Sequence, residues 1–240
     1  MKSIWSAVHT DVGIKKNINQ DAVILKIAGT ASGKLAFAVI CDGMGGLQQG
    51  EVASEMLCRS YEQWFRQELP IFLKEGMDIR YFQTTLEQTT LNTDARMKQY
   101  GRQHGIRLGT TATILLIVEE KYYIFHVGDT RVYRITGSDL DQLTTDHTCR
   151  QQQNVLLQCV GASGELHPEV LHGEIREPVT FLLCSDGFRH KVEKRELFQL
   201  LNPLALQSEE VMQTHLYTLT ERSKERGETD NISAIALKIF

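Results

Sequence analysis

Cysteine is scarce in this chain and poorly placed for cross-linking. Cys41, Cys58, Cys149, Cys159 and Cys184 contain no CxxC pair and are odd in number. That pattern argues against a disulfide framework or a thiolate zinc site and fits a reduced, cytoplasmic compartment. Cys41 and Cys184 end apolar runs, where cysteine serves as a small buried hydrophobe. Proline and glycine are modest, 4 and 18 among 240 residues, which excludes collagen-like and low-complexity architectures. Long apolar runs are missing. The stretch Ala112–Val118 is far shorter than the roughly 20 residues that span a bilayer, so no membrane partner is expected. The opening MKSIWSAVHTD lacks the apolar segment of a secretion signal. Positive charge is not in excess: 26 Lys and Arg against 30 Asp and Glu leave a net −4. A nucleic-acid binder working through a basic face is therefore not expected.

What remains is an ordinary globular composition, 42% hydrophobic and 23% charged. A chain of this length buries roughly 70–75% of its unfolded surface, so it needs no covalent staple. With no repeat, linker or like-charge block, residues 1–240 are expected to form one domain. Short β-rich runs predict strands at Ser3–His9, Ala22–Ile27 and Leu35–Ile40, the last two joined by a turn at GTASGK. From Gln49 the spacing of Val52, Met56, Tyr61 and Phe65 predicts a helix, with Pro70 just beyond its end. A second helix is expected from Asp78 to about His104. Its apolar face would carry Phe82, Leu86, Leu91 and Met97, and Gly101 or Gly105 would stop it. Glu119-Glu120-Lys121 turns one hairpin and Thr136-Gly137-Ser138 another; Val179–Cys184 is a buried strand. Helices follow at Lys194–Leu201 and Ser208–Arg226, and Ile232–Ile239 is a closing strand. Hairpins with helices arriving in pairs predict an α+β fold with antiparallel sheets rather than βαβ repeats.

Five carboxylates share one setting. Asp42, Asp129 and Asp186 each end an apolar run, and Asp21 and Asp230 each precede one. All five are therefore expected where strands meet loops, and strand ends far apart in sequence can meet in space. Carboxylates gathered at one rim repel unless cations neutralise them. Oxygen donors without thiolate or imidazole suit hard ions such as Mg²⁺ or Mn²⁺. Taken singly, each aspartate has a plainer reading as a turn former or cap.

The ordered set is more specific. It comprises Asp11-Val-Gly, Asn19-Gln20-Asp21-Ala22, Asp42-Gly-Met-Gly-Gly, Gly109-Thr-Thr-Ala, Gly128-Asp-Thr-Arg-Val-Tyr133, Thr145-Asp-His-Thr148, Ser185-Asp-Gly-Phe188 and Asp230-Asn-Ile232. It resembles the metal-dependent protein serine/threonine phosphatases, the PPM or type-2C family, in its short bacterial form. The resemblance implies a four-layer α/β/β/α sandwich in which two antiparallel sheets are flanked by helix pairs. It also implies a centre of two Mn²⁺ or Mg²⁺ ions, or three. Asp42 would bridge two ions, with a backbone oxygen from Gly43. Asp186 and Asp230 would complete the first ion, and Asp21 would hold water bound to an ion. Asp129 with Asp186 would take a third ion. A hydroxide bridging the ions would attack phosphorus in line, with no covalent phosphoenzyme. The implied partner is a phosphoprotein substrate, opposite a serine/threonine kinase, and the chain is expected to act as a monomer.

Three departures from the family pattern stand out. Lys16 occupies the place of an arginine that would grip phosphate through a bidentate fork. Its neighbour Lys15 is the alternative cation. No histidine lies in the glycine loop, where relatives carry one at Met44 or Leu47; His126, His147 and His190 are expected to be structural. The flap after Asp146-His-Thr148 is short, only CRQQQ before Asn154, so the segment around 146–160 is expected to be a compact helical turn from Cys149 to Gln158 beside an open site. Two other functions fit such departures: a catalytically weak binding or regulatory module, and a phosphatase for a small phosphorylated metabolite.

Overall fold

The computed structural model describes residues 2–30, 33–44, 47, 49–149 and 152–240. The middle of the GTASGK turn, both glycines closing the Asp42 loop, and Arg150 and Gln151 of the shortened flap lie outside the described residues. Ten strands make two five-stranded sheets. The first runs in the order β1 (Ile4–Asp11), β12 (Ile232–Ile239), β11 (Val179–Cys184), β6 (Arg131–Ile135) and β7 (Leu140–Gln142). The second runs β10 (Glu169–Glu174), β5 (Lys121–Val127), β4 (Ala112–Val118), β3 (Gly33–Asp42) and β2 (Asp21–Thr30). Every pairing between neighbours is antiparallel.

The alternation of side chains along each strand builds the layers. On β3, Phe37, Val39 and Cys41 face one way, while Ala36, Ala38 and Ile40 face the other. The first set packs under α1 (Gly50–Gln67), α2 (Leu69–Lys74) and α3 (Ile79–His104), against Leu57, Trp64 and Phe82. The second set meets Phe181, Leu183, Ile235 and Leu237 of the opposing sheet. On the far side, Leu182, Cys184, Ala234 and Ala236 pack under α4 (Asp186–Arg189), α5 (Lys194–Leu201) and α6 (Glu209–Glu225). The result is the helix, sheet, sheet, helix stack that the sequence implied. All five cysteines are free, and four of them are buried. Among the described residues no helix is long and apolar enough to cross a membrane.

Local signals fix the helix ends. Asp78 accepts from the Arg80 amide at 2.9 Å and starts α3, and Gly105, at φ 64°, stops it. Gly101 instead stays within the helix. Ser208 caps α6, and Glu193 with Glu196 forms a capping box on α5.

Two expectations need correction. Leu91 is 48% exposed. The buried face of α3 runs through Phe82, Leu86, Thr90, Thr93 and Met97, so Leu91 stands about 100° away from Thr90, on the outside. Thr90 takes the interior because its hydroxyl meets Tyr61 Oη at 2.8 Å and also donates to the Leu86 carbonyl. The segment expected to be a helical turn from Cys149 to Gln158 instead forms a small hairpin of β8 (Thr148–Cys149) and β9 (Gln152–Leu156). The Leu157 amide bonds the His147 carbonyl at 2.8 Å and draws this segment out as strand. Pro70 does lie beyond α1, but it opens the short helix α2, where its missing amide is harmless. The edge strand β10 also escaped the pattern reading, because its residues alternate poorly between apolar and polar.

Replacing Phe181, fully buried between the sheets, by Ala should cost about 3–5 kcal/mol in chemical denaturation. Leu91→Ala should stay within about 0.5 kcal/mol of wild type, since its side chain already meets water.

Candidate active site

In an antiparallel pair the end of one strand lies beside the start of the next, and that geometry gathers the five aspartates. Asp21 opens β2 directly opposite Asp42 at the close of β3. Asp186 follows the Cys184 end of β11, which pairs with Ala234 near the start of β12, and Asp230 precedes that start. Asp129 sits in the turn from β5 to β6. All five sequence-predicted carboxylates therefore arrive at one end of the two sheets.

Burial and mutual repulsion together raise the pKa values of Asp21, Asp42, Asp129 and Asp186. Burial, then the charges of Asp21, Asp186, Asp129 and Asp230, hold the Asp42 carboxyl well above the usual carboxylate range. Burial raises Asp21 to about 7; the nearby Ser233 and Ser185 hydroxyls offset part of the rise, and Asp186 and Asp230 add to it. Asp129 is raised to about 6 by burial and by Asp186, against the pull of Arg189. Burial also raises Asp186, with His190 and Arg189 opposing. Both carboxylate oxygens of Asp21 are shut off from water, and among the described residues none, the nearby Ser233 and Ser185 hydroxyls included, meets them in hydrogen-bond geometry. A buried carboxylate with no donor is costly, and a divalent cation is the simplest group that relieves it. The donor set is all oxygen, which fits a hard ion.

Backbone contacts hold these side chains in place. The Thr111 hydroxyl meets the Asp42 amide at 2.9 Å, while the Thr110 hydroxyl and the Thr111 amide both donate to the Asp42 carbonyl. That explains the Gly109-Thr-Thr-Ala motif. A β-carbon on Gly43 would lie 2.3 Å from the Gly50 carbonyl oxygen and 2.5 Å from that of Gln20, so only glycine lets the loop pass the start of α1. A β-carbon on Gly187 would strike the Asn231 carbonyl at 2.2 Å, which is how the Asp186 and Asp230 turns approach each other.

Lys16 reaches the cluster: its Nζ lies 3.0 Å from Asp230 Oδ1, whereas Lys15 is exposed. Asn231 fastens the loop that carries Lys16. Its Nδ2 donates to the Val12 and Ile18 carbonyls, and its Oδ1 accepts from the Gln20 amide.

Several residues of the site escaped the sequence reading. Buried Glu228 accepts from the Thr229 and Asp230 amides and shapes the Asp230 turn. His190 lies between Asp186, at 3.7 Å, and Glu228, at 3.5 Å. Arg131 grips Asp146 through Nε and Nη2, and Arg189 reaches toward both Asp129 and Asp146. The signal for Arg189 and His190 was their spacing: three and four residues after Asp186 put them on the same helical turn.

His126, His147 and Glu169 bring their ligand atoms within 4.8 Å of one another, tight enough to hold an ion. Here hydrogen bonds within the chain engage these groups. His126 Nδ1 meets the Thr113 hydroxyl, and its Nε2 meets the Thr145 carbonyl. Glu169 accepts from the Thr145 amide and hydroxyl. His147 Nδ1 accepts from the Gly128 amide, and its own amide donates to the Gly128 carbonyl. The trio acts as a clasp that holds the Thr145–Thr148 segment against the Asp129 turn, in keeping with the structural role expected of His126 and His147.

Comparison with known proteins gives a consistent picture. A family model for protein phosphatase 2C matches residues 13–226. The serine/threonine phosphatase stp of Listeria welshimeri is 24% identical over 220 residues, covering 83% of each chain. The protein phosphatase PhpP of Streptococcus pneumoniae is 27% identical over 248 residues, covering 93% of each. Among solved structures, the catalytic domain of the serine/threonine protein phosphatase PstP in complex with two manganese ions superimposes with a TM-score of 0.79. It shares 22% identity, and the match covers 100% of this chain and 99% of that one.

A carboxyl whose pKa is raised in the fold gives stability that is present below its unfolded pKa and lost as pH rises through its folded value. For Asp21 that window runs from about 4 to about 7. Chelator-treated Asp21→Asn should therefore melt at least about 2–4 °C above wild type in mildly alkaline buffer and show no such advantage near pH 4. Equal melting temperatures at both ends would show that the Asp21 charge is relieved within the chain.

Proposed function

Because the chain belongs to the protein phosphatase 2C family, we propose that it hydrolyses phosphoserine and phosphothreonine in proteins at a centre of two Mn²⁺ or Mg²⁺ ions held by Asp42, Asp186 and Asp230. The observation that carries this reading is the convergence of five aspartates from distant segments, with an Asp21 carboxylate that meets no hydrogen-bond partner among the described residues. Asp42, on which the charges of the other four act, would hold the ions together with the Gly43 backbone beside it. Asp21 orients water, and Asp129 closes the far side of the cluster. Bound divalent ions supply Lewis acidity and lower the pKa of water to near neutrality.

The chain's own residues do the rest. The Thr110–Thr111 clamp and the Asn231 and Glu228 contacts fix the carboxylates before substrate arrives, so little reorganisation is left for the reaction. Lys16, at the rim beside Asp230, meets the phosphoryl oxygens as a compact charge. As in the sequence reading, residues 1–240 form one catalytic domain whose flap around 146–160 is short. The protein acts as a cytoplasmic monomer in signal transduction, opposite a serine/threonine kinase.

The test is hydrolysis of phosphothreonine peptides and of an aryl phosphate, each with Mn²⁺ and with chelator. Metal-dependent turnover of the peptides is expected, and turnover of the aryl ester alone would favour a small-molecule substrate. Asp42→Asn should abolish both turnover and ion binding. Lys16→Ala should raise KM roughly tenfold with a smaller effect on kcat; an unchanged KM would remove Lys16 from the substrate site.

A further inference from the structure

The Arg189 side chain is only 12% exposed and forms two long ion pairs. Its Nη2 lies 3.8 Å from Asp129 Oδ2, 3.4 Å from the Asp129 carbonyl, which accepts from it, and 3.6 Å from Asp146 Oδ2. Its Nε is shut off from water and has no partner among the described residues. Asp146 is already neutralised, because Arg131 holds it at 2.8 Å through Nε and 2.6 Å through Nη2, and Gln142 adds a further contact. Asp129 is the neighbouring carboxylate without a counter-charge of its own. Arg189 is therefore the fixed cation of Asp129, delivered from α4 one turn after Asp186.

The charges of the cluster then balance in a particular way. The five carboxylates carry five negative charges, and Lys16 beside Asp230 and Arg189 beside Asp129 offset two of them, which leaves three. Two divalent ions on that balance leave one positive charge to spare for a phosphoryl group. A third divalent ion at Asp129 would press against a guanidinium that has little access to water, and like charges at such range repel strongly.

We propose that Arg189 is a positioning residue that occupies, beside Asp129, the place a third cation would need, and so limits the centre to two ions. This rests on the reading of the aspartate cluster as a metal centre. Mn²⁺ titration of the chelator-stripped full chain, followed by calorimetry and by the resonance signal of free Mn²⁺, tests it. Wild type should bind two ions. Arg189→Gln should bind three, the third roughly tenfold or more tighter than any residual third binding to wild type. Arg189→Lys should restore two, and Arg189→Gln combined with Asp129→Asn should return to two as well.

Three ions on wild type, or two on a folded Arg189→Gln variant, would overturn the proposal and leave the metal reading intact. No ion on wild type would overturn both. Should Arg189→Gln fail to fold, Asp129→Asn decides: an ion count equal to wild type supports the proposal, and the loss of an ion refutes it.

Discussion

Repulsion among five carboxylates crowded at one end of the sandwich is the constraint to which the rest of the molecule answers. Left to themselves these side chains would splay apart or keep their protons, and burial together with their mutual repulsion raises the pKa values of Asp21, Asp42, Asp129 and Asp186. What keeps them together is not any contact between them. Each is anchored through its own backbone to the ends and turns of the two packed sheets, so the three apolar layers supply the free energy that holds like charges in range. The helices matter for the same reason: without their cover, the sheets would lack the rigidity to resist the spread.

Support for the site is unevenly distributed. Asp42 is held by hydroxyls and amides of a neighbouring strand start, and Asp230 by Glu228 and by Lys16. The turn carrying Asp129 hangs on two handles, the imidazole clasp at Gly128 and the arginine pair at Asp146. The Thr145-Asp-His-Thr148 motif is thus less a set of reactive groups than a bracket: Asp146 takes Arg131 and so leaves Arg189 to Asp129, and His147 grips the backbone before Asp129. Thr145 links His126, deep in the sheet, to Glu169 on the edge strand.

Much of this was legible in the chain itself. Strand positions followed from short apolar runs, and the location of each aspartate at a strand boundary put all five where strands meet loops; that they gather at one rim was implied by the family resemblance. The helix ends were written in Asp78, Gly105 and Ser208. What stayed hidden depended on partners far away in sequence. Leu91 looked like a core residue because leucine usually outranks threonine for burial; it lost to Thr90 because Tyr61, thirty residues earlier, offers the hydroxyl a partner. The hairpin after Thr148 was obscured by glutamines, which carry no period. The role of Arg189 was invisible because it rests on Arg131 having already taken Asp146. Charge competition of that kind has no local signature.

The placement of β12 has a consequence for the life of the chain before it is complete. This strand lies between β1 and β11, so residues separated by more than two hundred positions must pair before the first sheet closes. Asp230 enters with it. A ribosome-bound chain that lacks residues 232–239 holds an open sheet with two unpaired strand edges, and it cannot gather the five carboxylates. Assembly of the centre therefore waits for residues 230–239: until β12 is in place, the chain does not gather the carboxylates that would hold divalent ions at this rim.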